Sequence, residues 1–164
     1  IMQSETECGN QYRQPDYNPD TPPNDFAYAA YTFRKLRDFI SAGASSYMLW
    51  NLVLDEHGKN LDSKRPWPQN SPVVVDRATK QVTYTPMYWV TKHFSGLIRA
   101  GARVIASSGS NADQIAFENP DGTRVVELLN DSAAAVRLVI VDGARRQPLE
   151  LPARSVASLI LPKE

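Results

Sequence analysis

The segment Ser46-Tyr47-Met48-Leu49-Trp50-Asn51-Leu52-Val53-Leu54 is apolar almost without interruption. A continuous apolar run of this length predicts a strand that is buried on both faces, and such strands are typical of parallel sheets. A helix is predicted directly before it, over residues 26–42. Asp25 stands at its N-cap position, apolar residues follow at helical spacing, and Gly43 suits the C-terminal stop.

The sequence on either side extends this α/β pattern. Residues 1–8 begin apolar and turn polar, which predicts another strand. Residues 72–76 and 81–84 predict a hairpin, and Thr85-Pro86 starts a predicted helix because proline fits the first helical position. Long polar loops follow the first two strands. Residues 1–98 are therefore what we expect of the last part of a (β/α)₈ barrel, where active sites lie at the C-terminal ends of the strands.

Residues 99–164 carry only short predicted strands and turns. The five predicted strands are Arg103–Ser107, Gln114–Asn119, Arg124–Leu129, Val136–Val141 and Val156–Leu161. Turn sequences rich in Asn, Asp, Pro and Gly separate them. Short strands at this spacing predict an antiparallel β-sandwich. The predicted fold class is thus α/β plus all-β, with part of a barrel followed by a β-sandwich domain.

Charge and composition exclude several classes of partner. Eighteen Lys and Arg residues balance 18 Asp and Glu residues, so no net field gathers nucleic acid or an anionic membrane, and a neutral sugar fits. No apolar run approaches the length of a membrane span. A single cysteine, Cys8, excludes an intrachain disulfide. The chain opens at Ile1 without a signal peptide, so we expect a fragment whose targeting segment lies upstream.

Glu5 is the first candidate for chemistry, since it lies near the polar end of a predicted barrel strand. A carboxylate there can attack an anomeric carbon and form a glycosyl-enzyme, with a second carboxylic acid roughly 5 Å away to protonate the leaving oxygen. The alternative is that Glu5 and Glu7 are solvated acids at a strand end. The two are poorly placed to form the catalytic pair themselves, because neighbouring acids on one strand do not straddle a glycosidic bond.

Aromatic residues on and after the second predicted strand are candidates for sugar binding. An indole ring offers a face for the C–H side of a pyranose and an N–H donor for a hydroxyl. Trp50, beside polar Asn51, fits sugar binding and core packing equally well. Trp67, between Pro66 and Pro68, is predicted to lie at the rim of a loop, where it fits either sugar binding or packing. For Tyr47 we favour packing.

Other chemistries have little support in the sequence. His57 and His93 have no Cys or carboxylate at ligand spacing, so we expect no metal site and no cofactor. Neither a Ser-His-Asp arrangement nor a Gly-rich phosphate loop is indicated. Asn130-Asp131-Ser132 matches the N-glycosylation acceptor pattern, which often arises by chance.

An ordered set of motifs resembles glycoside hydrolase family 30 of the glucosylceramidase type. In that family they correspond to the nucleophile segment, strand eight, a Ser-Pro-Ile-Ile-Val-Asp segment, the final barrel helix and the appended sandwich. The motifs are Gln3-Ser4-Glu5-Thr6-Glu7-Cys8-Gly9, Trp50-Asn51-Leu52-Val53-Leu54, Ser71-Pro72-Val73-Val74-Val75-Asp76, Pro86-Met87-Tyr88-Trp89, His93-Phe94-Ser95, Phe117-Glu118-Asn119-Pro120-Asp121-Gly122 and Leu129-Asn130. The resemblance covers nearly the whole chain.

The resemblance implies roles for four residues. Glu5 becomes the catalytic nucleophile, because a Ser/Thr-Glu pair ends barrel strand seven in the family; the Ser-Glu-Thr-Glu spelling leaves Glu7 as the alternative. Trp50 becomes a sugar-contacting residue, Asn51 a neighbour that shapes the site, and Trp67 a residue of a loop that borders the pocket.

The resemblance also implies that essential parts lie upstream. The family's general acid/base, a Glu after an Asn at the end of strand four, has no counterpart here, and neither do barrel strands one to six. We therefore expect exposed apolar surface on the barrel side, and self-association of the chain when it is made alone.

The function implied is a retaining β-glycosidase with a carbohydrate or glycolipid substrate. Family members act on β-glucosides such as glucosylceramide, on β-1,6-glucans or on xylosides. The alternative is a non-catalytic module, in which the sandwich of a truncated chain binds carbohydrate or braces the barrel. We expect a secreted or otherwise extracytoplasmic protein, with no nucleic-acid partner.

Overall fold

The computed structural model describes residues 1–6, 24–59, 69–109 and 111–163, with residues 5 and 6 described by their backbone alone. The chain divides into two compact units, Ile1–Thr91 and Lys92–Glu164. The predicted domain limits, 1–98 and 99–164, stay a prediction. In the first unit the elements are β1 (Met2–Thr6), α1 (Phe26–Ser41), β2 (Ser46–Leu49), β3 (Val53–Asp55), β4 (Val73–Val75), β5 (Val82–Tyr84) and the start of α2 (Pro86–Leu97).

The β–α–β order at the start of the chain is confirmed. Strands β1 and β2 pair in parallel, with Met2 opposite Ser46 and Thr6 opposite Leu49. Helix α1 connects them. It begins at Asp25, whose side chain accepts a 2.9 Å hydrogen bond from the backbone N–H of Tyr28, and so satisfies one of the free donors at the helix start.

Glycine ends α1 for a conformational reason. Gly43 has a φ of +94°, in the left-handed region that side chains with a Cβ rarely adopt. Its N–H donates to the carbonyl of Ile40 over 2.9 Å, and the N–H of Ala44 reaches the carbonyl of Phe39. These bonds satisfy carbonyls of the last turn, as the sequence predicted.

The prediction of one strand over residues 46–54, buried on both faces, is wrong. The run forms two short strands in different sheets: β2 pairs with β1, and β3 pairs with β4. Met48, Leu52 and Val53 are exposed. An apolar run does not by itself distinguish one long strand from two short ones. Its burial depends on neighbours that cover both faces, and the described residues do not cover these side chains.

The predicted hairpin and the start of α2 are confirmed. Strand β4 pairs in parallel with β3 and antiparallel with β5, which gives a three-stranded sheet in the order β3-β4-β5. Helix α2 begins at Pro86, and the carbonyl of Thr85 accepts from the N–H groups of Tyr88 and Trp89.

The second unit is an antiparallel β-sandwich, as predicted. A four-stranded sheet in the order β11-β8-β7-β6 faces a two-stranded sheet of β9 and β10. Its strands are β6 (Arg103–Ile105), β7 (Asp113–Glu118), β8 (Arg124–Asn130), β9 (Val136–Asp142), β10 (Arg145–Leu151) and β11 (Ser155–Leu161).

The sandwich core lies between the two sheets. Buried residues of the larger sheet, among them Val126, Leu128 and Leu161, contact Leu151 of β10, and apolar residues of β9 such as Leu138 pack against them. The other face of the larger sheet carries Phe117, whose ring meets that of Phe94 in α2 at 86° and 6.3 Å. The four-stranded sheet is therefore covered on both faces within its unit.

Strand β10 is the one strand of the sandwich that the sequence analysis missed. Its sequence, Arg145-Arg146-Gln147-Pro148-Leu149-Glu150-Leu151, is polar and contains a proline, which lacks the N–H that a central strand needs. Such a residue is tolerated because, among the strands of the described residues, β9 is the one that pairs with β10. Gly143, with a φ of 58°, lies in the turn between the two strands.

Candidate active site

The C-terminal ends of β1 and β2 meet at one edge of their parallel pair. Thr6, the last residue of β1, lies opposite Leu49, the last residue of β2. The backbone of Glu5 therefore lies at the end of β1, one strand away from the point where the chain leaves β2 at Trp50. The side chain of Glu5, and all of Trp67, lie outside the described residues.

Trp50 and Asn51 share one hydrogen-bond acceptor. The indole Nε1 of Trp50 donates to Oε1 of Gln69 over 3.1 Å, and Nδ2 of Asn51 donates to the same oxygen over 2.5 Å. Gln69 is only 3% exposed, whereas Trp50 is 38% exposed. A buried amide thus fixes the orientation of a tryptophan whose ring remains partly open to solvent. The peptide bond between Trp50 and Asn51 is cis.

A turn after β3 holds Gln69 in place. The backbone N–H of Gln69 donates to the carbonyl of Gly58 over 3.0 Å, and the N–H of Gly58 donates to the carbonyl of Asp55. The buried carboxylate of Asp55 accepts from the backbone N–H groups of His57 and Lys59, at 3.0 and 2.7 Å. Asp55 therefore organises the turn that carries the acceptor for Trp50 and Asn51.

Arg77 completes this support from the β4–β5 hairpin. Its guanidinium lies 2.5 Å from the second carboxylate oxygen of Asp55. These polar contacts of the Asp55 side chain and backbone are all directed at local structure. We assign Asp55 a positioning role in the loop, because its oxygens are occupied by the turn and by Arg77.

The structure brings together two of the four predicted site residues in detail, Trp50 and Asn51, and adds Gln69, which the sequence analysis did not single out. Gln69 lies 19 residues after Trp50. The only hint in the sequence was its place directly after the loop of Trp67. Tyr47, for which we predicted packing, contacts the ring of Phe39 in α1 at 5.8 Å.

Apolar side chains on and beside the short parallel strands are exposed. They include Met48, Leu52 and Val53 and, at the opposite end of the β1–β2 pair, Ile1 and Met2. Trp89 in α2 is half exposed, although its ring contacts those of Tyr84 and Tyr88. Within the first unit, then, apolar surface remains open beside the candidate site.

Two further features of the second unit have defined hydrogen-bond partners. Asn130 is not a glycosylation acceptor in this fold, because it is buried and its Nδ2 donates to the carbonyls of Ala134, Leu151 and Pro152 at 2.7–3.1 Å. The second unit brings His93 next to Ser158 and Glu127, with the serine hydroxyl between the ring and the carboxyl, which is a different order from a Ser-His-Asp arrangement. The three residues are far apart in sequence, so spacing gave no signal.

Metal and membrane features are absent from the part of the chain that the structure describes. There, no three His, Cys, Asp or Glu residues are grouped so as to hold a metal ion. Among the same residues, neither helix has the length and apolar character needed to span a membrane.

The first unit carries polar and aromatic residues at the C-terminal edge of parallel strands, and a β-sandwich forms the second unit. The sequence profile of the glycosyl hydrolase family 30 beta sandwich domain matches residues 101–159. The second unit is thus identified as a β-sandwich domain of the glycoside hydrolase family 30 type, and the relatives described next extend the similarity to the first unit.

Relatives by sequence include two glucosylceramidases. Lysosomal acid glucosylceramidase of Mus musculus is 35% identical over 100 residues, which is 57% of this chain and 18% of that protein. Putative glucosylceramidase 1 of Caenorhabditis elegans is 27% identical over 169 residues, or 95% of this chain and 31% of that protein.

Solved structures share the fold. SrfJ from Salmonella typhimurium superposes with a TM-score of 0.82 and 23% identity, over 99% of this chain and 35% of that chain. The endo-beta1,6-glucanase BT3312 has a TM-score of 0.72 and 23% identity, over 83% of this chain and 31% of that chain. The chain thus spans about a third or less of the length of these relatives.

Proposed function

We propose that this chain is the nucleophile-bearing part of a retaining β-glycosidase, with Glu5 as the nucleophile. In the proposed reaction the Glu5 carboxylate attacks the anomeric carbon and displaces the aglycone, which takes a proton from a general acid. The glycosyl ester that forms is then hydrolysed by water with net retention. The single observation that carries the proposal is the parallel pairing of β1 and β2, whose ends place the backbone of Glu5 one strand from Trp50.

The geometry around Trp50 supports a sugar-binding role. Its ring is partly exposed and its orientation is fixed by the hydrogen bond to Gln69, so a pyranose can stack on it without the cost of ordering the side chain. Asn51, held by the same oxygen, would shape the adjacent wall. We propose Trp67 as a third substrate-binding residue, on the strength of the family resemblance alone.

We propose that the rest of the site comes from a preceding part of the polypeptide. The exposed Met48, Leu52 and Val53 lie on or beside the short parallel strands and are the type of surface that further barrel strands cover. Under this proposal residues 1–98 are the last part of a (β/α)₈ barrel and residues 99–164 the accessory sandwich. The general acid/base would belong to the preceding strands.

The substrate class we propose is a β-glucoside, including glycolipids with a glucosyl headgroup. This proposal is supported by the relatives that match the chain by sequence, because both are named glucosylceramidases. One of them is described as lysosomal, and we propose a likewise extracytoplasmic location for this protein.

The test is a pair of matched variants in the complete protein that contains this chain. Glu5→Gln should lower kcat on an aryl β-glucoside by at least about a thousandfold, because an amide cannot act as the nucleophile. Glu7→Gln, two residues away, is the control and should retain activity within about tenfold. Near-normal hydrolysis by Glu5→Gln would rule out the assignment.

A bracing role for the sandwich has a specific observation in its favour. From residue 103 to residue 164 the one aromatic residue in the sequence is Phe117, which is buried against Phe94. A sandwich that binds sugars by stacking needs exposed rings. We therefore propose that the second unit supports the catalytic unit. Saturable binding of oligosaccharides by the complete Glu5→Gln protein that persists after Trp50→Ala would contradict this.

A further inference from the structure

A buried hydrogen-bonded chain links three elements of the second unit. Nδ1 of His93, in α2, lies 2.6 Å from Oγ of Ser158, in β11. The same Oγ lies 2.5 Å from Oε2 of Glu127, in β8, and Glu127 is fully buried. Ser158 and Glu127 are directly opposite each other in the β8–β11 ladder. His93 is partly open to solvent, so the chain leads from the surface to a buried carboxyl.

The hydrogen-bond partners available to these atoms limit which of the three side chains carries each proton. Oε1 of Glu127 is buried and has no hydrogen-bond partner among the described residues. An unpartnered oxygen is much more costly on a carboxylate than on a neutral acid. With Glu127 protonated, Oε2–H donates to Ser158, Ser158 donates to Nδ1 of His93, and Nε2–H of His93 is left to point to solvent.

Gain or loss of one proton disrupts this arrangement. If Glu127 ionises, the hydroxyl of Ser158 must turn and donate to the buried carboxylate. That hydroxyl is then the one donor to the carboxylate among the three side chains. If His93 gains a proton while Glu127 stays neutral, both neighbours of Ser158 become donors, and the serine proton loses its acceptor. The hydroxyl of Ser158 therefore has both a donor and an acceptor only while Glu127 and His93 together carry one of their two titratable protons.

Among the described residues, few charged groups lie near the hydrogen-bonded side chains of Glu127, Ser158 and His93. On the same face of the sheet, β7 carries Asp113 two residues from Ile115, which is opposite Glu127. β11 carries Val156 and Ile160 on either side of Ser158, and neither has a charge. In α2, Lys92 directly precedes His93 and is exposed. Burial raises the pKa of Glu127 to about 7, against the lowering effect of the Ser158 hydrogen bond, and burial lowers the pKa of His93.

We propose that Glu127, Ser158 and His93 form a pH-sensitive clamp that holds the C-terminal part of α2 on the four-stranded sheet. The clamp is tightest when Glu127 is protonated and His93 is neutral. A rise in pH loosens it by ionising Glu127, and a fall in pH loosens it by protonating His93. Phe94, packed on Phe117, is the apolar contact that the clamp holds in register.

The two titrations have opposite signs. The pKa of Glu127 is higher in the folded chain than the ordinary 4.5, so its contribution to stability is present at low pH and is lost as the pH rises through about 7. The pKa of His93 is lower in the folded chain than 6.5, so its contribution is present above pH 6.5 and is lost as the pH falls through the lowered value. Just below pH 6.5 the two slopes oppose each other, because the first falls and the second rises with pH.

The test is urea unfolding of the full chain between pH 4.5 and 8.5. In Glu127→Gln only the His93 slope remains, so the folding equilibrium constant should rise with pH below 6.5 by up to about tenfold per unit, and stay level above. In His93→Gln only the Glu127 slope remains, so the constant should fall with pH between 4.5 and 7. Profiles of both variants parallel to that of the unmodified chain would overturn the proposal.

Nuclear magnetic resonance of the unmodified chain gives a second test that requires no variant to fold. The ¹⁵N shift of Nδ1 of His93 should be that of an unprotonated acceptor at pH 6, and the ¹³C shift of the Glu127 carboxyl should be that of a neutral acid. A protonated Nδ1 together with an ionised carboxyl at pH 6 would overturn the proposal. A merely structural role for Ser158 would leave both shifts unchanged in Ser158→Ala, whereas the clamp predicts that both move.

Discussion

The indole Nε1 of Trp50 donates a hydrogen bond to Oε1 of Gln69 over 3.1 Å, and this contact joins the end of β2 to a loop 19 residues further along the chain. Because Asn51 donates to the same oxygen, one buried amide orients both of the described candidate sugar-binding residues. Gln69 itself depends on Gly58 and, through the turn, on Asp55. The site is thus supported by a buried polar chain that ends in an ion pair with Arg77.

Removal of the shared acceptor should weaken substrate binding. In the complete protein, Gln69→Leu leaves the donors of Trp50 and Asn51 without a partner, at a cost of about 1–3 kcal/mol. If the lost hydrogen bonds destabilise the substrate-binding orientation of Trp50 by this amount, kcat/KM on an aryl β-glucoside should fall roughly 5- to 150-fold. Gln81→Leu, in the exposed β4–β5 turn, is the matched control. Equal kcat/KM values for the two variants would show that Gln69 does not support the site.

The sandwich core should be sensitive to loss of volume. Leu128 is 1% exposed and lies between the sheets, so Leu128→Ala should destabilise the chain by about 2–5 kcal/mol, through lost burial and the cavity left behind. Val139→Ala, on β9 and 58% exposed, should cost no more than about 0.5 kcal/mol. Urea unfolding measures both, and similar midpoints for the two variants would contradict the packing of the two sheets.

Asn130 should be essential for the stability of the second unit. Its side chain donates to three carbonyls and accepts from the N–H and hydroxyl of Ser132. Asn130→Ala should therefore cost about 2–3 kcal/mol, since buried carbonyls lose their donors. Gln147→Ala, in the exposed part of β10, provides the comparison and should be nearly neutral. Thermal unfolding that is unchanged in Asn130→Ala would show that water replaces these bonds at no cost.

The cap of α1 gives a local test. Asp25→Ala removes the acceptor for the N–H of Tyr28 and should cost about 1 kcal/mol, whereas Asp25→Asn keeps an acceptor and should cost less. Hydrogen exchange of the amide of Tyr28 is the measurement. We expect roughly fivefold faster exchange in Asp25→Ala alone; equal rates in both variants would mean that the cap does not protect this amide.

Local signals in the sequence predicted the local structure well. The N-cap at Asp25, the stop at Gly43 and the start of α2 at Pro86 are all set by backbone chemistry within a few residues. The alternation of strands and helices likewise predicted the parallel pairing of β1 and β2. The caps and the helix start depend on neighbours in the sequence, so the sequence alone is sufficient to infer them, whereas the pairing of β1 and β2 follows from the order of the elements.

What the sequence did not predict depends on distant partners. The run over residues 46–54 divides between two sheets because β1 and β4 take different parts of it. Strand β10 is polar because it lies at an edge. Gln69 and the His93–Ser158–Glu127 chain come from contacts over 18 to 65 residues, for which a single sequence has no periodic signal.

The central claim is that the carboxylate of Glu5 forms the glycosyl-enzyme. The most direct measurement is to incubate the complete protein with an activated 2-deoxy-2-fluoro-β-glucoside, which traps that ester, and to locate the added sugar by mass spectrometry of peptides. We predict a fluoroglucosyl ester on Glu5, retained in Glu7→Gln and lost in Glu5→Gln. A label on Glu7, or on any residue other than Glu5, would contradict the assignment.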